Sequence, residues 1–183
     1  MATTAENVAV ALTGGVYYAP AGTALPTDAT TTLNVAFDEL GYITEEGVSQ
    51  MIEESTTKIR AWQNGDTVRE VQTAHDLMYG FTCLETNENV LAVYYGNYAA
   101  GVVEVNAAPG TRGCWVFQIA DGDQDIRIVV PDGQVTDRGD ISYVNGNAIS
   151  YPMQITCYPD ADYNGSEDQP AKAYIYYSPA IST

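Results

Sequence analysis

One stretch of the sequence alternates between apolar and polar side chains, and it restricts the fold class more than any other feature. Apolar side chains occupy every second position from 149 to 157: Ile149, Tyr151, Met153, Ile155 and Cys157. A two-residue period places such side chains on one face of a β-strand, so a strand is predicted over 149–158. Pro152 has no backbone N–H, which predicts an edge strand or a bulge at that position.

The rest of the chain has the composition of an antiparallel β protein. It contains 14 tyrosines and many Val, Ile and Thr residues, which favour strands, and turn residues recur between the apolar runs. Further strands are predicted over 14–19, 77–85, 99–105, 113–121, 125–130, 135–143 and 173–177. Residues 113–120 are almost continuously apolar, which predicts a central strand buried on both faces. The pattern favours a mainly β fold, an antiparallel β-sandwich or barrel.

One flanking α-helix is predicted over 87–95. Thr86 is placed to cap its first turn, and Leu91, Tyr94 and Tyr95 share one face. Gly96 suits the left-handed conformation that ends a helix. A helix this short persists only when it packs against the sheet.

The length of 183 residues favours a single domain, 1–183. Residues 1–14 are predicted to form an extended N-terminal arm, and residues 20–32, rich in Ala, Thr, Pro and Asp, are predicted to form loops. Residues 47–72 combine charged and β-favouring side chains, which predicts a long projecting loop, a hairpin outside the core. Residues 73–183 are predicted to form the main β core.

The net charge restricts the partners of the chain. The chain contains seven Lys and Arg residues and 24 Asp and Glu residues, which gives a net charge of −17 at pH 7. This charge disfavours tight binding to nucleic acid or to an anionic membrane, yet it permits duplex DNA to pass without adhering. The chain shows neither a signal segment nor an apolar run of membrane-spanning length, so we expect no membrane partner and folding in a reducing cytosol.

The sequence predicts no catalytic, cofactor or metal site. His75 is the only histidine, which leaves few general-base arrangements. The cysteines Cys83, Cys114 and Cys157 lack metal-ligand spacing and are interpreted as reduced core residues. The sequence therefore favours a protein that is not an enzyme and holds no cofactor.

Two acidic loops approach a calcium-binding pattern. Asp160, Asp162, Asn164 and Gly165 match the start of an EF-hand loop, but Ala171 stands where the pattern needs a bidentate Glu. The other loop, 121–125, is followed by Ile126 where the pattern needs a glycine. Both are interpreted as solvated turns, and a calorimetric calcium titration with a micromolar midpoint would overturn that interpretation.

Several segments share their order and spacing with one protein family. LGYITEEGV at 40–48 is followed by KIRAW at 58–62 and by Val68-Arg69, and ITCYPD at 155–160 precedes the aromatic strand AYIYY at 173–177. Together they resemble the major tail proteins of long, non-contractile-tailed bacteriophages, particularly those that infect actinobacteria. The chain departs from the commonest family pattern at Gln63-Asn64, which resembles an insertion in the loop tip.

The resemblance implies a β-sandwich or barrel with one flanking helix, and a structural virion protein. Six copies would form a ring, and stacked rings would form the tail tube that conducts the genome into the host. Implied partners are further copies of the chain, the tape measure, tail terminator and distal tail proteins, and double-stranded DNA in transient, non-adhesive passage. The protein would be made and assembled in the bacterial host cytoplasm and would reside in the phage tail.

In the resembled family the terminal arms and the loop after the Gly-Tyr-Ile turn contact the next ring. The corresponding candidates for inter-ring contacts are Glu53, Glu54, Lys58, Arg60, Trp62 and Arg69. Lys58 and Arg60 are rare cations in an acidic chain, so we expect them to pair across an interface. The alternative is another all-β virion module, a capsid-decorating or receptor-binding (adhesion) domain, which would tolerate deletion of 47–71.

Overall fold

The structure is a computed structural model that describes residues 8–107, 109–122, 124–160 and 170–179. These residues form the strands β1 (Thr13–Pro20), β2 (Asp38–Glu39), β3 (Ile43–Arg60), β4 (Thr67–Cys83), β5 (Arg112–Asp121), β6 (Gln124–Arg138), β7 (Tyr151–Cys157) and β8 (Tyr174–Ser178). One helix, α1 (Glu88–Tyr95), lies between β4 and β5 in the described chain. The predicted mainly β fold with one helix is confirmed.

The strands form one antiparallel sheet in the order β2-β1-β5-β6-β7-β4-β3. The long strand β6 pairs with β5 along one edge, and along its other edge it pairs first with β8 and then with β7. The sheet folds over onto itself, because the rings of Tyr79 in β4 and Phe117 in β5 have centroids 5.0 Å apart although β6 and β7 separate them in the sheet. This folding gives the two layers of a sandwich, as predicted.

Apolar side chains fill both sides of β5. Trp115 and Phe117 belong to the main cluster between the layers, and Cys114 and Val116 belong to a second cluster on the opposite face. The prediction that this strand is buried on both faces is therefore confirmed. The core is not confined to 73–183, because Val16 of β1 is also fully buried in the main cluster.

Helix α1 follows the prediction closely but has a different cap. Asn87 is the N-cap, and its Oδ1 accepts a hydrogen bond from the Val90 N–H at 2.8 Å. The predicted cap, Thr86, is wrong, because its hydroxyl is hydrogen-bonded instead to the Tyr151 hydroxyl at 3.1 Å. Gly96 has φ +81° and ends the helix as expected.

The buried face of α1 also differs in part from the prediction. Val90, Val93 and Tyr94 are buried, whereas Leu91 and Tyr95 are only partly buried against the main cluster. The Tyr94 hydroxyl donates to the Gly139 carbonyl at 2.7 Å. This bond ties the helix to the end of β6.

Two predicted strand assignments are wrong. Residues 99–105 do not form a strand: 99–102 form a tight turn closed by one isolated bridge between Ala99 and Val102, with Gly101 at φ +83°, and 103–105 have no regular structure. The predicted strands 125–130 and 135–143 are one strand up to Arg138, because the Pro131-Asp132 pair is absorbed by a register shift against β5. A bulge of this kind accommodates a proline that lacks an N–H.

The edge-strand interpretation of Pro152 is also wrong. Strand β7 lies between β6 and β4, so it is an interior strand. The Gly139 N–H donates to the Pro152 carbonyl at 3.0 Å, just past the end of β6. Because the N and C=O of a strand residue face the same side, the missing N–H of Pro152 lies where the β6 ladder has already ended.

A buried arginine anchors the loop between β1 and β2. Arg127 is only 6% exposed, and its Nη1 donates to the carbonyls of Asp28 at 3.0 Å and Thr31 at 2.7 Å. Its Nε donates to Gln118 Oε1 at 2.6 Å. These bonds satisfy a buried charge that would otherwise be costly, and they hold the predicted loop residues 20–32 against β5 and β6.

Candidate functional site

The β3–β4 hairpin extends well beyond the folded body, and it contains the predicted projecting segment 47–72. Ile52 and Leu77 form the last cross-strand pair with a buried member. From the pair Glu53 and Asp76 outward, the side chains are exposed except for the half-buried Ala61, Val71 and Ala74. At about 3.3 Å per residue, the hairpin projects roughly 25 Å from the body.

Backbone pairing and local turn chemistry hold the hairpin together. The ladder continues to the pair Arg60 and Thr67, with register shifts after Ser55 and after Ile59. At the tip, the Ala61 N–H donates to the Asp66 carbonyl at 2.8 Å. Asn64 and Gly65 have φ values of +58° and +69°, a conformation that these residue types adopt most readily. The family departure at Gln63-Asn64 thus lies in a closed turn.

One face of the hairpin is charged. Lys58 Nζ lies 3.8 Å from Glu70 Oε1, and His75 Nε2 lies 3.7 Å from Glu54 Oε1. The Thr56 hydroxyl also donates to Glu70 at 3.0 Å. Surface pairs of this type contribute little to stability, so they serve mainly to order the side chains on this face.

The opposite face carries an apolar stripe that the carboxylates of the Glu53 and Asp76 pair interrupt. Cross-strand pairing places these residues together: Met51, Ile59, Val71, Ala74 and Met78. Met51 and Ile59 are 47% and 49% exposed. Of the stripe residues, Ile59, Val71 and Ala74 lie on the projecting part, beyond the Ile52 and Leu77 pair.

The structure places the six candidate contact residues on this one hairpin but not on one face. Their positions are the charged face for Glu54, Lys58 and Arg60, the apolar face for Glu53 and Arg69, and the tip for Trp62. Trp62 is 99% exposed. The hairpin therefore presents two chemically distinct faces and an aromatic tip.

The end of the hairpin, residues 55–72, has a small positive charge on an anionic protein. The chain has no Lys or Arg before Lys58, and Lys58, Arg60 and Arg69 are three of its seven. Within 55–72 the only acidic residues are Asp66 and Glu70, so this segment has a net charge of +1. The rest of the chain has a net charge of −18, which gives the total of −17.

At the other end of β3 lies a groove that the sequence analysis missed. It has a volume of about 840 Å³, and it separates the start of β3 from the start of β1 at the open edges of the sheet. Four carboxylates line it, from Glu39, Glu45, Glu46 and Glu85. We call it the acidic groove. Its lining comes from separate parts of the chain, around Leu12, Glu45, Glu85 and Gln118, so no local sequence pattern indicated it.

Hydrogen bonds fix two of these carboxylates. Glu85 accepts from the Tyr42 N–H at 2.9 Å and from Asn87 Nδ2 at 3.1 Å. Gly41 must be glycine here, because its φ is +81° and an added Cβ would lie 2.3 Å from the Glu85 carboxyl carbon. A hydrogen bond from the Thr44 side chain lowers the pKa of the Glu46 carboxyl, which keeps it ionised.

The described residues offer little catalytic chemistry. They contain no group of three or more His, Cys, Asp and Glu side chains placed to hold a metal, and residues 162–165 and 123 of the two acidic loops lie outside them. All three cysteines are buried and unpaired, as predicted. Burial raises the pKa of the Cys83 and Cys157 thiols to about 12, so neither is a ready nucleophile.

No helix among the described residues is long and apolar enough to cross a membrane. His75, the only histidine, lies on the exposed hairpin beside Glu54. The features that distinguish this surface are therefore the hairpin and the acidic groove.

Comparisons with known proteins place the chain in a family. No protein with a curated description matches the sequence. Among solved structures, the fold is similar to a chain in the "virion of native gene transfer agent (GTA) particle", with 9% identity, a TM-score of 0.40, and coverage of 80% of this chain and 92% of that one. It is also similar to a chain in the "tail of empty GTA particle computed with helical refinement, C6 symmetry", with 8% identity, a TM-score of 0.41, and coverage of 87% and 96%. The model of the phage tail tube protein family matches residues 1–171, and the chain therefore belongs to that family.

Proposed function

We propose that this chain is the major tail tube protein of a long-tailed phage. Its copies polymerise as stacked hexameric rings into the hollow conduit through which the genome enters the host. Family membership supports this role, and one structural observation carries it: a hairpin whose end, 55–72, carries +1 projects from a strongly anionic body and buries almost nothing within its own molecule.

The hairpin gains its burial from other copies. Its charged face, apolar stripe and Trp62 are exposed in a single chain, and an element of this kind contributes little to its own fold. A ring closes by a head-to-tail interface, and a second head-to-tail surface stacks the rings into an open filament. The hairpin supplies that second surface, through Glu53, Glu54, Lys58, Arg60, Trp62 and Arg69.

The acidic composition suits a conduit for DNA. Duplex DNA carries one negative charge per roughly 1.7 Å of its axis, so carboxylates that face the lumen repel it and prevent adhesion. The partners expected for such a protein are the tape measure, tail terminator and distal tail proteins. The chain itself would have no enzymatic role. Assembly takes place in the cytoplasm of the bacterial host, and the narrower likeness to phages of actinobacteria remains part of this proposal.

Negative-stain electron microscopy of the purified, concentrated chain tests the proposal. We expect hollow tubes of stacked rings with six-fold end views and a channel wide enough for duplex DNA. Dispersed monomers at every concentration, or filaments without a lumen, would contradict it. Monomers that instead bind phage capsids would identify the protein as a decoration module.

A further inference from the structure

The acidic groove and the hairpin tip lie at opposite ends of the same strand. β3 begins at Ile43, beside the groove, and ends at Arg60, beside the tip, with 18 residues in total. At about 3.3 Å per residue, roughly 55 Å separates its two ends. A tip therefore cannot reach the groove of its own molecule, but translation of one copy along β3 brings the tip of one to the groove of the next.

The two ends have opposite charge. The tip region carries Lys58, Arg60 and Arg69 within a segment of net charge +1. No Lys, Arg or His is among the residues that line the groove, and the cation nearest to it by contact is Arg127, which donates to the side chain of the lining residue Gln118. Complementary potentials of this kind select the partner and speed its encounter.

The groove also has room for the aromatic tip. Its volume of about 840 Å³ lies in the range of sites that enclose a whole small ligand, roughly 300–1,000 Å³. Leu12, Val48 and Ile119 supply apolar lining, and Leu12 is 68% exposed. An indole that is 99% exposed would lose water contact there, as aromatic anchors do at the centre of protein interfaces.

We propose that the acidic groove is the receptor for the hairpin tip of a second copy of this chain. Trp62 enters the groove, and Lys58, Arg60 and Arg69 face Glu39, Glu45 and Glu46. This inference rests on the proposed polymerisation and specifies the surface that receives the hairpin.

Cross-linking of engineered cysteines tests this contact. One variant carries Gln63→Cys at the tip and another carries Glu45→Cys in the groove. The natural cysteines are buried, so they do not react with the cross-linker in the folded protein. A bismaleimide cross-linker added to the mixed proteins is expected to give a covalent dimer, and a double variant is expected to give a ladder of multimers. The matched control pairs Gln63→Cys with Val144→Cys, another exposed position, and is expected to give no specific dimer.

A charge exchange gives an independent test. Arg60→Glu and Glu45→Lys are each expected to reduce the pelleted fraction of tubes at least tenfold, and the double variant is expected to restore it. Normal tubes of the wild type together with no cross-link between the cysteines at 63 and 45 in the variants, or charge effects that simply add in the double variant, would overturn the groove as receptor while leaving the tail tube function intact. Absence of wild-type tubes would instead refute the polymerisation on which the inference rests.

Discussion

The two halves of β4 share one ladder with β3 but have opposite surroundings, and only the inner half also pairs with β7. In the inner half, Leu77, Tyr79, Phe81 and Cys83 alternate into the core and are each less than 9% exposed. In the outer half, 67–76, the same antiparallel ladder to β3 continues, but no side chain is buried. Pairing alone therefore shapes the hairpin, and burial stabilises the body.

This contrast separates the fold from the proposed assembly. Substitutions in the body should change the free energy of unfolding, because each core side chain contacts many others. Substitutions in the outer hairpin should change association and leave unfolding almost unaffected. The two tryptophans of the chain lie on the two sides of this division.

The largest expected effect is that of Trp115→Ala. Trp115 is 0% exposed, its Nε1 donates to the Gly133 carbonyl at 3.0 Å, and its ring lies 5.0 Å from that of Tyr18. Removal of such a side chain should lower the free energy of unfolding by about 3–5 kcal/mol, as measured by denaturant titration. The matched control, Trp62→Ala at the tip, should change it by less than about 0.5 kcal/mol. Equal losses would abolish the contrast between the two regions.

The second effect is alkaline destabilisation of the body. Burial raises the pKa of Cys83 and Cys157 to about 12 from 9.0, so the folded state favours the protonated thiols. The contribution of these protonated thiols to the free energy of unfolding is fully present below pH 9 and is lost as the pH rises towards 12. The unfolding midpoint should fall over that range, and Cys83→Ala with Cys157→Ala should flatten the decline relative to wild type. An equal decline in the double variant would exclude the thiols as its source.

The third effect is local and lies in the hairpin turn. Gly65 has φ +69°, and a β-branched residue in that conformation costs about 1–2 kcal/mol. Gly65→Val should therefore speed hydrogen exchange at the Ala61 amide, which bonds to Asp66, by about tenfold. The Tyr79 amide in the inner half of β4 should exchange at the wild-type rate, and acceleration there would indicate that the hairpin and the body open together.

The smallest effect on stability is that of Lys58→Glu. The pair with Glu70 spans 3.8 Å between half-exposed side chains, and such pairs contribute about 0–1 kcal/mol. Denaturant titration should show little change, whereas sedimentation of assembled tubes should show a clear loss, because the reversed charge meets an anionic partner. Arg112→Glu, on a body cation that pairs with Asp132 away from the hairpin, is the control, and an equal loss of tubes there would indicate a general charge effect.

The sequence predicted the elements whose pattern is local. The alternation around Met153 and the continuous apolar run around Phe117 gave strands in nearly the observed places, and the Gly96 signal placed the end of α1. Errors occurred where tertiary pairing decides the outcome. The prediction of separate strands over 125–130 and 135–143 is wrong because a bulge opposite Cys114 absorbs Pro131, and no local pattern reports that bulge.

The candidate site was also predictable only where its residues form a local pattern in the sequence. The charged, β-favouring residues around Lys58 identified the hairpin, but not which face each side chain occupies, since the register shift after Ser55 sets that. The acidic groove was missed because its lining comes from distant parts of the chain, including Leu12, Glu45 and Glu85. Such proximity follows from the folding of the sheet and not from any single segment.

Replacement of the outer hairpin tests the central claim most directly. Residues 54–75 are exchanged for Asn-Gly, a two-residue turn that joins the cross-strand pair Glu53 and Asp76. The account predicts a protein that unfolds within about 1 kcal/mol of the wild type and forms no tubes under the electron microscope. Tubes like those of the wild type, or a body that no longer folds, would contradict the division between a self-sufficient body and a hairpin that serves assembly.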